Sequence, residues 1–151
     1  MIAYRGGLLR GNDLLRTWIM HLFLCASHDP RVISHHVARD RLITFEPVEH
    51  APDILAELLT IYWSGLSRPI HFFPQSSWKF VLEKKSPDHS RQDCLSAARE
   101  AWNGGYAHGA EKENSYNRIC FTGVDPLDDE FVSLSENVFM PLMAHERQEK
   151  L

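Results

Sequence analysis

Nine histidines, three cysteines and twenty carboxylates are the groups in this 151-residue sequence that could hold an ion, move a proton or attack an electrophile. His35 and His36 are adjacent in a predicted strand, so their side chains point to opposite faces and cannot chelate one ion together. His21, His28, His50, His71, His89, His108 and His145 form no H-x-x-x-H or H-E-x-x-H pair. Cys25, Cys94 and Cys120 are odd in number and lack C-x-x-C spacing, which argues against a disulfide framework or a zinc ribbon and suits a reducing cytoplasm. No G-x-S-x-G elbow marks a nucleophilic serine. The reading from residue types is therefore no metal, no cofactor and no catalytic residue.

Two acidic stretches could imitate a divalent-ion site. Glu83-Lys84-Lys85 has the E-x-K order but falls on a predicted helix, where cations at the carboxyl end suit the helix dipole. Asp125, Asp128, Asp129 and Glu130 read as the first turn of a helix, where carboxylates are favoured for the same reason. The aromatic groups His71-Phe72-Phe73-Pro74 and Tyr62-Trp63 could stack nucleic-acid bases. Without interleaved Arg or Lys they read better as core or subunit contact.

A net charge of -4 and the lack of a basic run exclude a broad electrostatic footprint for DNA. Hydrophobic residues at 44% and charged residues at 24% give the composition of a globular domain, and the length suits one domain over residues 1–151. No apolar run reaches the ~18 residues of a membrane span, and Met1 to Arg10 is no secretory signal.

The elements that must position these groups follow from apolar spacing. Asn12 and Asp13 are expected to cap a core helix through Leu14, Trp18, Leu22 and Cys25, stopped near Pro30. Strands are predicted at 31–38 and 42–48 with a hairpin turn at Arg39-Asp40-Arg41. A helix from Pro52 ends at Gly65 or Ser67, and an extended stretch covers 70–74. Ser76 or Ser77 is expected to cap a helix to Lys85, and another runs from Arg91 to Trp102 and stops at Gly104-Gly105. Residues 106–122 read as irregular with a short strand at 118–121. The last helix starts after Asp125-Pro126, Pro141 kinks or ends it, and the tail beyond is expected to fray.

Four blocks resemble the carboxy-terminal region of RecC, the gamma subunit of exodeoxyribonuclease V. They are Leu14 to Ala26, read as L-L-x-x-W-x-x-H-L-x-L-C-A; Leu58 to Pro69 followed by Phe72-Phe73-Pro74; Ala98 to Gly104 with Trp102; and Phe139-Met140-Pro141-Leu142. The resemblance implies an α+β, helix-rich, degenerate PD-(D/E)XK nuclease-like domain with a small mixed sheet and a β-hairpin. It also implies a piece of a much longer subunit, which would self-associate to cover an exposed sheet edge. An active relative would read I-D-Y-K on the strand entering the first helix and Q-x-x-x-Y on that helix. Here Ala3 and Arg5 stand for the carboxylate and lysine, and His21 and Cys25 for the glutamine and tyrosine. A methyl group offers a divalent ion no oxygen.

The function implied is that of a non-catalytic module within a helicase–nuclease, in contact with RecB-type and RecD-type subunits and meeting DNA through the assembled complex. Tyr62, Trp63, Phe72, Phe73 and Trp78 are the candidate partner contacts. The alternatives are a metal-dependent nuclease drawing on Asp40, Glu46 or Glu49, and a free-standing single-strand-binding module.

Overall fold

The computed structural model describes residues 1–27, 31–104 and 109–151. The expected stop at Pro30, the histidines His28 and His108, and Gly105 lie outside them. The chain forms two compact units, Met1–Trp63 with Pro141–Leu151, and Ser64–Met140.

The first unit is built on a four-stranded mixed sheet. Strand β1 (Ile2–Tyr4) leads to helix α1 (Gly11–Ser27), and β2 (Ser34–Val37) returns parallel to β1. β3 (Arg41–Phe45) pairs antiparallel with β2, so the predicted hairpin is present with shorter strands. Helix α2 (Ala51–Ser67) follows, and β4 (Glu146–Lys150) closes the order β1-β2-β3-β4. The expected frayed tail is thus a strand, antiparallel to β3 with Phe45 opposite Glu146. Its charged side chains hid it, because an edge strand is held by backbone bonds and needs no apolar alternation.

The core follows from strand period and helix spacing. Ser34, His36, Ile43 and Phe45 share the buried face, and Leu14, Trp18, Leu22 and Cys25 of α1 are buried. Trp18 stacks on His21 and His145 at 5.7 Å each and meets Phe45 at 5.3 Å. The start of α1 differs from expectation. The amides of Asp13 and Leu14 bond the Arg10 carbonyl, and Asp13 lies inside the first turn rather than capping it.

The second unit is helical. It contains α3 (Pro74–Lys84), α4 (Arg91–Asn103), a 3-10 turn at Glu111–Glu113, α5 (Ser115–Phe121), and most of α6 (Asp129–Ala144). The strand expected at 118–121 is α5, whose residues are all at least partly exposed. Seven residues without a buried face carry too little apolar periodicity to separate helix from strand. Helix α3 starts at Pro74, suited to the first helical position, and neither Ser76 nor Ser77 is its cap. Ser90 and Asp93 form a capping box on α4, and Gly104 ends it at φ 83°, where a Cβ would lie 2.9 Å from Ala110. Asp128 accepts from Phe131 N at 3.1 Å, so the acidic stretch does open α6. Pro141 sits inside α6 without ending it, and Nδ1 of His145 donates to its carbonyl at 2.8 Å. Among the described residues, no helix is long and apolar enough to cross a membrane. The whole is α+β, helix-rich with a small mixed sheet.

Candidate functional site

Pairing of β1 with β2 sets Ala3 beside His36. A cavity of about 250 Å³ lies there, lined among others by Ala3, Tyr4, Asp13, Arg16, Thr17 and His36. Three of these come from successive turns of one α1 face, because i, i+3 and i+4 positions share a face. Just outside the lining, Arg5 places its guanidinium 2.8 Å from the Asp13 carboxylate.

The hydrogen bonds fix the state of His36. The Thr17 hydroxyl donates its one proton to the Asp13 carbonyl at 2.9 Å. It must therefore accept from Nδ1–H of His36, 2.8 Å away. Nε2 is then a bare acceptor, and it is buried without a partner. Burial lowers the pKa of His36 below the ordinary imidazole value, Asp13 opposes this, and Arg5 reinforces it.

His21 and Cys25 occupy the next turns of α1 and do not line the cavity. His21 is fully buried. It reaches the Glu46 carbonyl through Nε2 and Ser34 Oγ through Nδ1, each at 2.9 Å, with Cys25 Sγ 3.5 Å from Nε2. Nε2 donates to the carbonyl, and Nδ1 accepts from the serine. Burial is the main reason its pKa is lowered too, against the raising effect of the Glu46 carbonyl. His21 and Cys25 thus serve core packing.

Both imidazoles are held neutral, and protonation at either opposes folding. A lowered folded-state pKa means stability fully present above the unfolded value of 6.5 and lost as pH falls through and below it. Urea midpoints are expected to fall between pH 7.5 and 5.5, and His21→Gln with His36→Gln together should flatten that slope.

Two of the three candidate nuclease carboxylates are committed elsewhere. Asp40 accepts from Leu9 N at 2.9 Å and Arg41 Nε at 2.8 Å, Glu46 pairs with Arg147 at 3.0 Å, and Glu49 is exposed. None of them lines the cavity. Glu83 pairs with His89 and Lys84 with Glu136, as suits a solvated helix end. Among the described residues, no three His, Cys, Asp or Glu side chains are grouped to hold a metal ion.

The five aromatic candidates divide. Tyr62 and Trp63 stand out from α2 at 61% and 72% exposure, next to Leu59 at 64%. Phe72 is half-buried against Phe139. Phe73 and Trp78 are buried, Phe73 with its ring 4.4 Å from that of Trp102. They serve the core: Trp78 is among the residues that α3 buries, and Phe73, the residue before its first turn, packs on Trp102, Phe121 and Phe131.

Sequence reasoning missed Asp13, Thr17 and His36 as a connected group. Only the β1–β2 register and the turn of α1 bring them together. It also missed Glu111, whose carboxylate accepts from Gln75 N, Ser76 N and Ser76 Oγ at 2.9, 2.8 and 2.7 Å.

The sequence model of the RecC C-terminal domain matches residues 1–85, more than half of the chain and all of the β1–α1–β2 cavity. The blocks at 98–104 and 139–142 lie beyond it. No curated protein matches the chain.

Proposed function

The chain belongs to the RecC C-terminal domain family, and on that premise we propose that it is a non-catalytic structural module of a RecBCD-type helicase–nuclease. It has a degenerate PD-(D/E)XK nuclease-like fold, works in the cytoplasm in double-strand break repair and recombination, and meets DNA through the assembled complex. One observation carries this reading. Where an active relative holds its ion, β1 presents the Ala3 methyl, and the carboxylate that lines the cavity, Asp13, is already paired with Arg5 at 2.8 Å. A divalent ion needs several hard oxygen ligands to activate water for phosphodiester cleavage.

The module's work is then contact with RecB-type and RecD-type subunits. Helix α2 is the surface that suits it. Of its 17 residues only Ala51 is buried, and Leu59, Tyr62 and Trp63 stand exposed together. Large aromatic anchors of this kind dominate binding energy where they enter a partner's pocket. Trp63→Ala is expected to weaken assembly with purified partner subunits by ~2 kcal/mol or more, about thirtyfold in Kd. The fold should be unchanged by circular dichroism. Unaltered affinity would remove α2 from the interface.

A further inference from the structure

The cavity between α1 and the β1–β2 pair has a chemistry that its lost role does not account for. His36 is only 3% exposed and lines the space, yet Nε2 has no hydrogen-bond partner. Buried polar atoms are nearly always satisfied, so an orphaned acceptor on a residue that lines a cavity points to a missing third party. Ala3 contributes only a methyl to the lining of this space.

We propose that this cavity binds a phosphate monoester or free phosphate group, gripped by Arg16 and sharing one proton with Nε2 of His36. A cation at the mouth selects an anion. A bare imidazole nitrogen behind it selects a ligand that brings a proton, since Nδ1 is already committed to Thr17. Among common anions, phosphate monoesters combine both near neutrality, because their second proton leaves at about pH 6. Sulfate and internal phosphodiesters carry no proton there and leave Nε2 unpaired.

The groups facing His36 fit this assignment. From α1 come Asp13, Thr17 and Arg16, and from the β1 side comes Arg5. Asp13 would repel an anion if it were free. Its charge is offset by Arg5 at 2.8 Å, and phosphate enters beside a closed ion pair. Burial keeps His36 neutral while the cavity is empty, so the proton shared with Nε2 is the one that the entering monoanion carries. Nε2 is closed off from solvent, so entry requires side chains at the rim to turn. Arg16, Tyr4 and Met20 are all exposed there and free to do so. The assignment stands on this unit alone and does not depend on assembly with partner subunits.

The test is an NMR titration of the ¹⁵N-labelled chain at pH 6.5 with inorganic phosphate, a nucleoside 5′-monophosphate and sulfate, following the His36 ring nitrogens. Both phosphates are expected to move Nε2 away from the value of an unprotonated acceptor, with Kd at least about tenfold below that of sulfate. Tighter binding of the nucleotide would identify a nucleic-acid end as the source, and equal binding would identify free phosphate. Arg16→Gln, at an exposed position, and Ala3→Leu, which fills the space, should each raise Kd about tenfold or more. Equal response to sulfate, a silent His36, or binding that survives both substitutions would overturn the site.

Discussion

Trp18→Ala is expected to remove about 3–5 kcal/mol of stability, enough to leave much of a marginally stable domain unfolded. Trp18 is fully buried, and its ring is the hub on which His21, Phe45 and His145 converge at 5.3–5.7 Å. These partners come from α1, β3 and the segment leading into β4, so the cavity left by alanine would loosen helix and sheet together. The indole nitrogen is buried without a partner, so Trp18→Phe keeps most of the ring contact and discards an unsatisfied donor. Its cost is expected below ~1.5 kcal/mol. Urea unfolding of the two variants separates these outcomes, and equal losses would show that the ring cluster is not what holds the unit together.

The second large effect is expected at Glu111. Its carboxylate takes three hydrogen bonds from Gln75 and Ser76 at the start of α3, a helix whose own Phe73 supplies no side-chain cap. Ser76 is fully buried, so Glu111→Ala strands its amide and its hydroxyl away from water. Hydrogen bonds to a charged acceptor and orphaned buried groups together set the loss at about 3 kcal/mol. Glu111→Gln retains one acceptor oxygen and should fall about midway. Hydrogen exchange at the Ser76 amide provides a local reading. Its protection should collapse in the alanine variant, and retained protection would show that another group caps the helix.

These two positions also show what the sequence could and could not disclose. Trp18 was legible because α1 repeats apolar residues every three or four positions over 17 residues, a signal that only a buried helix gives. The acidic opening of α6 was legible from dipole chemistry, whereas the Ser90 capping box of α4 emerged only from the structure. Glu111 was not, because it lies 35 residues from the amide it caps in a stretch without periodicity. β4 escaped because Glu146–Lys150 joins the sheet through its backbone alone, and α5 because it buries no residue.

The site was half legible. Opposite facing of His35 and His36 follows from strand period and is observed, with His35 bonded to Thr44 and His36 to Thr17. Neighbours in sequence unable to share an ion are still free to meet groups from elsewhere, and spacing rules do not reach that far. Ala3 and Arg5 carried meaning only through the family pattern. The structure adds where Arg5 spends its charge and which imidazole stands opposite Ala3.

The central claim is that the β1–α1 region offers no seat for a catalytic divalent ion, and it is tested most directly by incubating the purified chain with linear duplex DNA and magnesium or manganese. Cleavage no greater than in the chelator control is expected. Ion-dependent cleavage abolished by Asp13→Ala, at the carboxylate that lines the β1–α1 cavity, would contradict the claim and return the chain to the working nucleases.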